Sequence, residues 1–294
     1  MPDASPDAAP TPALSDLVER LGPSVVALRG GGASLSGFAW REDLVVTAEE
    51  PLPEAEAFEA VLPGGAARAA RLLGRDASTD LALLRLEGGG LAPARLDAPA
   101  PRAGEPVLAL GAREGRAVVA VGVVGFAGPA WRSLRGGLID ARLELDLRLP
   151  PGAEGGLALD AHGRALGMAA LAPRGRAIAI PSATIERVAP RLLSHGRVPR
   201  GYLGLGLQPI GIDASDGGGR GLLVVSVAEG GPGARAGLRQ GDIVTDLDGE
   251  PIAGMRDLMR ALGPDRVNTA ATLRFRRAGE PREAVVAIAE RPAG

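Results

Sequence analysis

The sequence predicts a mainly β protein: two successive barrel-like sets of short strands, followed by a smaller α+β domain. Three observations predict it. Apolar runs of strand length recur, punctuated by 44 Gly and 25 Pro, as in a many-stranded fold joined by tight turns. The runs fall into two sets, separated by the Pro/Ala-rich stretch at residues 91–105. From residue 198 the order changes to strand, strand, short helix, hairpin, longer helix, hairpin.

Taken in order, residues 1–14 are rich in Pro, Ala and Asp and read as disordered. The stretch SDLVERL reads as a short helix with Ser15 as its N-cap. The body spans 15–197, with strand sets at about 22–98 and 101–190. The first set holds SVVALRG, SGFAW, DLVVTA, AFEAVLP, RAARLLG and DLALLRLE. The second holds EPVLALG, AVVAVGVVGFA, GLIDARLELDL, GLALDAHGRALGMAALAP and RAIAIP. After Pro181 a closing helix is expected, capped by Ser182 and ended by Gly196. The tail domain takes 198–294; in its longer helix Met255, Leu258 and Leu262 are expected to face the core.

Composition narrows the function. Cysteine is absent, which excludes disulfides and thiolate metal sites. All 33 basic residues are Arg, they are scattered, and the net charge is −2. Phosphate binding needs a basic stripe, so nucleic acid is not expected as a partner. No membrane span is expected, since no apolar stretch is long enough. The N-terminal residues lack a basic and then apolar signal pattern, so the chain reads as cytoplasmic as written, or periplasmic if its true start lies upstream. None of the Gly-rich stretches has the context of a nucleotide site, and no cofactor is expected.

Four segments carry a resemblance: TAEEPL at 47–52, DASTDLALLRLE at 76–87, PPGAEGGLALDAHGRALGM at 150–168 and AIAIP at 177–181. In order and spacing the chain resembles, from about Pro23 to its end, the HtrA family of trypsin-like serine proteases with a C-terminal PDZ domain. The resemblance implies two six-stranded trypsin-like β-barrels, then a PDZ domain. It also implies a base, an orienting Asp and a nucleophilic Ser meeting between the barrels. The base slot falls at Glu50, the Asp slot at Asp80 and the Ser slot at Glu154.

A carboxylate can accept a proton, but without a hydroxyl or thiol beside it there is nothing to activate. The expectation is a catalytically degenerate member, a pseudoprotease with no intact catalytic residue. Glu49 and Glu50 read as solvated loop acids, and Asp80 as a strand cap or a holder of loop amides. The Glu154 carboxylate has two readings. It sits among the amides of its own glycine-rich loop, or it converges with Glu50 and Asp80 in an acid cluster. Such a cluster must share a proton or recruit a cation, and a hydrolase using it is one alternative. No metal site is expected, because hard cations want more oxygens than these. The two histidines, His162 and His195, read as exposed.

In the tail, Gly201-Tyr202-Leu203-Gly204-Leu205 is similar to the family's carboxylate-binding loop, where glycine lets the main chain approach a ligand. The strand from Leu205 through Leu207 would pair with a bound peptide, and Met259 would stand on the groove wall. GGPGARAGLRQGDIVTDLDGEPI is the most specific match. The partners so implied are peptides or unfolded segments, above all C-termini, and an active protease paralogue. The job would be that of a scaffold, adaptor or holding chaperone. Serine endopeptidase activity by family descent is the competing reading. Oligomerisation is left open, since no aromatic residue precedes Phe38.

Overall fold

The computed structural model describes residues 13–212 and 218–291. The N-terminal segment expected to be disordered lies almost wholly outside them. The chain divides into two compact units, one ending at Arg197 and one beginning at Val198.

The first unit opens with helix α1 (Leu14–Leu21). It starts one residue earlier than expected and Ser15 does not cap it. Ala13 holds the N-cap position, and its carbonyl accepts from the amides of Asp16 and Leu17. Six antiparallel strands follow: β1 (Val25–Gly30), β2 (Ala33–Arg41), β3 (Leu44–Thr47), β4 (Ala57–Val61), β5 (Ala67–Asp76) and β6 (Leu81–Leu86). They close in the order β1-β2-β3-β6-β5-β4, with β4 returning to β1.

The second barrel repeats that connectivity. Its strands are β7 (Pro106–Arg113) and β8 (Arg116–Gly128), then a two-stranded ribbon of β9 (Trp131–Arg132) and β10 (Leu138–Ile139). They continue with β11 (Arg142–Asp146), β12 (Leu157–Asp160), β13 (Ala165–Ala172) and β14 (Arg176–Pro181). The closed order is β7-β8-β11-β14-β13-β12.

Period 2 sends Val26, Leu28, Ala82, Leu84 and Leu86 into the first barrel's core. Their neighbours Val25, Ala27, Leu81 and Leu83 point outward, yet they are buried too. Outward faces are covered because β1 and β2 pack on β7, while helix α2 (Ser182–His195) lies over β5, β6, β13 and β14. Strands buried on both faces explain the unbroken runs VVAL and LALL. Gly196 ends α2 in the left-handed conformation, as expected. The cap at its other end differs from expectation: Pro181 holds the N-cap position, and the Ser182 hydroxyl donates to Ala165 O at 2.7 Å.

The second unit holds β15 (Gly201–Tyr202), β16 (Leu205–Ile212), β17 (Gly219–Val227), α3 (Pro232–Arg235), β18 (Ile243–Leu247), β19 (Glu250–Pro251), α4 (Met255–Ala261), β20 (Ala270–Arg277), β21 (Glu280–Ala287) and β22 (Ala289–Glu290). Its main sheet runs β16-β17-β18-β20-β21 over a core of Leu203, Leu222, Val224, Val244, Leu258 and Phe275. Met255 departs from expectation and stands 38% exposed. The helix presents Leu258, Ala261 and Leu262 to the core, which turns Met255 outward.

Candidate functional site

A buried turn builds the site from the first barrel. Asp76, at the end of β5, accepts from Ser78 N at 3.1 Å, Ser78 Oγ at 2.6 Å and Thr79 Oγ1 at 2.7 Å. This turn delivers Asp80, whose φ of 57° lies in the left-handed region, just before β6. β6 pairs with β3 so that Ala82 faces Thr47, which brings the loop after β3 against Asp80. Asp80 Oδ1 accepts from the amides of Glu49 at 2.9 Å and Glu50 at 2.7 Å. Its carboxyl is pushed up to about 7. Burial is the main cause, opposed by the Glu50 amide and reinforced by the charges of Glu154 and Glu50.

Glu154 comes from the second barrel, in a loop whose Gly152 and Gly155 have φ of 83° and 85°. The buried Ser36 of β2 staples that loop to the first barrel. Ser36 N donates to Glu154 O at 2.8 Å, and Ser36 Oγ donates to Gly152 O at 2.6 Å and accepts from Ala112 N at 2.8 Å. Burial raises the Glu154 carboxyl above the ordinary range; the Leu171 amide opposes that shift and the Glu50 charge adds to it.

The Glu154 carboxylate does not settle among the amides of its own loop. Ala153 N, Gly155 N and Gly156 N are taken by the carbonyls of Pro150, Ala169 and Ala153. Glu154 Oε1 instead accepts from Leu171 N on β13, at 3.1 Å. Ala169, two residues earlier, makes the last main-chain rungs with Gly155 and Gly156. The side chain therefore supplies the next rung of the β13 ladder.

Glu50, Asp80 and Glu154 thus lie close enough for their charges to act on one another. Among the described residues, no group of three or more acidic or histidine side chains has metal-binding geometry. A cleft of about 430 Å³ adjoins the acids, lined by Glu50 and Asp80 and by the largely apolar set Trp131, Leu143, Leu171 and Ile178.

Glu49 is not a solvated acid. It is buried between Arg75 at 3.7 Å and Arg135 at 3.5 Å, and burial nevertheless keeps its carboxyl raised. Glu50 is exposed, as are His162 and His195. Sequence reasoning missed Ser36, Leu171 and Arg135. Nothing local marks them, because each acts on a segment distant along the chain.

In the second unit, Gly201 and Tyr202 pair with Glu290 and Ala289. Gly201 N donates to Leu262 O at 3.1 Å, which ties the loop to the end of α4. Leu203 is buried, and its carbonyl accepts from Gly233 N at 2.7 Å. Gly204 has φ of 69°, and a Cβ there would crowd Pro232 Cδ at 3.2 Å. Among the described residues β16 is paired along one side only, by β17, which leaves its other edge open from Leu205 through Leu207. Met259 is partly exposed on α4, which packs on β16.

Comparison with known proteins agrees with this architecture. Residues 35–168 match the family model described as a trypsin-like peptidase domain, and residues 201–288 that of a PDZ domain. A probable periplasmic serine endoprotease, DegP-like, of Brucella suis biovar 1 (strain 1330) is 33% identical over 276 residues, covering 87% of this chain and 52% of that protein. A protein of the same description from Pseudomonas fulva (strain 12-X) is 31% identical, covering 96% of this chain and 62% of that one. The chain thus spans about half to three fifths of these relatives' length. Among solved structures, the serine endoprotease from Yersinia pestis superposes with a TM-score of 0.74 at 26% identity, covering 97% of this chain and 100% of that one. The HtrA-type protease AlgW with decapeptide gives 0.76 at 23%, covering 96% and 100%, a likeness of fold.

The relatives' names correct one expectation. They are described as periplasmic, which overturns the cytoplasmic reading. That reading rested on the N-terminal residues alone, and these carry no weight in a chain matching only part of its relatives. Two closed barrels of trypsin-like type, a PDZ domain after them and DegP-like relatives make this chain a member of the HtrA family.

Proposed function

We propose that this is a non-catalytic HtrA protein that binds peptide segments or C-termini through its PDZ domain, in the periplasm where its relatives are named to act. One observation carries the non-catalytic part: the slots assigned to base and nucleophile hold Glu50 and Glu154, and Glu154 is hydrogen-bonded to Leu171 N. No hydroxyl or thiol stands in the nucleophile slot, and loss of such a group costs on the order of 10⁶-fold in turnover. Purified full-length chain is expected not to cleave unfolded casein. Turnover that survives removal of contaminating proteases and vanishes in Glu154→Ala would sink this reading.

A second reading has support of its own. The relatives are named serine endoproteases, and Asp80 is the residue assigned to the orienting slot. On that reading a serine elsewhere serves as nucleophile, and casein turnover would be blocked by a fluorophosphonate and survive Glu154→Ala. A hydrolase run by the acids themselves would resist the fluorophosphonate and be lost in Asp80→Asn.

The open edge of β16 and the loop Gly201-Tyr202-Leu203-Gly204-Leu205 support the peptide role, with Leu207 and Met259 as pocket walls. An added strand would gain main-chain hydrogen bonds from β16, and its terminal carboxylate would meet the loop amides. Hydrogen bonds to a charged group contribute about 1.5–3 kcal/mol. Amidating the C-terminus of a matched peptide is therefore expected to weaken binding at least about tenfold, as read by titration calorimetry. Equal affinities would show that the loop is not the anchor.

A further inference from the structure

We propose that Met255 and Met259 form a paired oxidation site, at which peroxides or hypohalous acids convert both thioethers to sulfoxides and switch peptide binding off. The inference rests on the reading of this groove as the peptide site.

The chain has four methionines and no cysteine. Met1 lies outside the described residues, and Met168 is wholly buried in the second barrel. Met255 is 38% exposed and Met259 partly so. Accessible sulfur among the described residues is therefore confined to α4. The i, i+4 spacing puts both thioethers on neighbouring turns of one helix face, while Leu262, just past the end of α4, packs toward the core. Leu262 O accepts from Gly201 N at 3.1 Å, and a Cβ placed on Gly201 would lie 3.1 Å from Leu262 Cβ. The C-terminal end of α4 is thus tied to the loop assigned to the carboxylate, and the two methionines stand on the helix that packs against β16. An apolar residue at or near a ligand's C-terminus would lie against them.

The chemistry needs only an external two-electron oxidant. The sulfur lone pair attacks the peroxide oxygen, the S–O bond forms as the O–O bond breaks, and water leaves. Sulfur is oxidised by two electrons and the peroxide is reduced by two. The product is polar, chiral and an acceptor only. Against an apolar ligand it is desolvated without a donor to meet it, which is expected to weaken binding about tenfold or more. Sulfoxide reductases reverse the change, both epimers being reducible.

The test treats the folded full-length chain with hydrogen peroxide. Oxidised positions are mapped by peptide mass, and binding of a fluorescein-labelled peptide ending in a valine carboxylate is titrated before and after. Oxygen is expected on Met255 and Met259 well before Met168, with the affinity falling about tenfold or more and returning after treatment with both sulfoxide reductases. For the double variant Met255→Leu plus Met259→Leu the quantity read is the ratio of affinities with and without peroxide, whatever its starting value. A ratio near one supports the site. The same loss as in the parent chain places the damage elsewhere and overturns it, as does full oxidation of both methionines with unchanged binding, or oxidation of Met168 first. A parent chain that fails to bind the peptide before peroxide removes the groove reading itself, and the switch with it.

Discussion

Asp80 concentrates two roles in one oxygen. Its Oδ1 fixes the amides of Glu49 and Glu50, while burial and two acidic neighbours make its charge costly. A carboxyl raised in the folded state, from 3.8 to about 7, binds its proton more tightly there than in the unfolded chain. Between those two pH values the folded state holds more protons, so this group makes stability fall as pH rises. Glu49 and Glu154 are shifted in the same direction and add to the slope. Asp80→Asn keeps an acceptor oxygen for both amides and removes the charge. The variant is expected to show a flatter Tm-against-pH curve across that window and a Tm no lower than the parent's at pH 8. A steeper curve, or a large loss at pH 8, would mean that the charge stabilises the loop. Asp80 as a holder of amides is legible from its place before a strand. The burial of Glu49 is not, because Arg75 and Arg135 reach it from elements remote in sequence.

The loop from Gly152 to Gly156 sits where the two barrels meet, and its glycines differ in what they require. Gly155 combines φ of 85° with no free space: a Cβ would overlap Ser36 O and lie 2.6 Å from Thr47 Oγ1. Gly64 has φ of 87° but nothing within 4 Å. Gly64→Ala should cost only the left-handed penalty of about 1–2 kcal/mol. Gly155→Ala adds overpacking of about 1–3 kcal/mol, and urea midpoints would separate the two variants. Similar midpoints would mean that the staple around Ser36 yields easily. At this scale the strands were legible in their apolar runs, and α2 in Pro181 and Gly196. The cap of α2 was not, because Ser182 finds a better partner in Ala165 across the fold. The outward turn of Met255 was equally hidden, because a helix of two turns takes its facing from the core it meets.

Over the whole molecule, the repeated barrel connectivity keeps a trypsin-like frame in which segments some hundred residues apart along the chain converge. If Glu50 and Glu154 stand in the base and nucleophile slots, Glu50→His plus Glu154→Ser rebuilds a triad around Asp80. Slow fluorophosphonate labelling is expected of the double variant and not of either single one, since base and nucleophile act as a set. Equal labelling of Glu154→Ser alone would reveal another base and refute the role given to Glu50. The sheet of the second unit leads elsewhere. One of its outer strands, β21, begins Glu280-Pro281-Arg282-Glu283, a sequence of charges and a missing amide that deters a foreign strand. The other, β16, begins Leu205-Gly206-Leu207 and carries no such guard until Pro209. If β16 receives a strand as proposed, an unfolded chain would meet a sheet open to pairing at one edge and guarded at the other. On the proposed reading, that asymmetry would let the domain take up an extended segment at one edge while its far edge resists uncontrolled sheet growth.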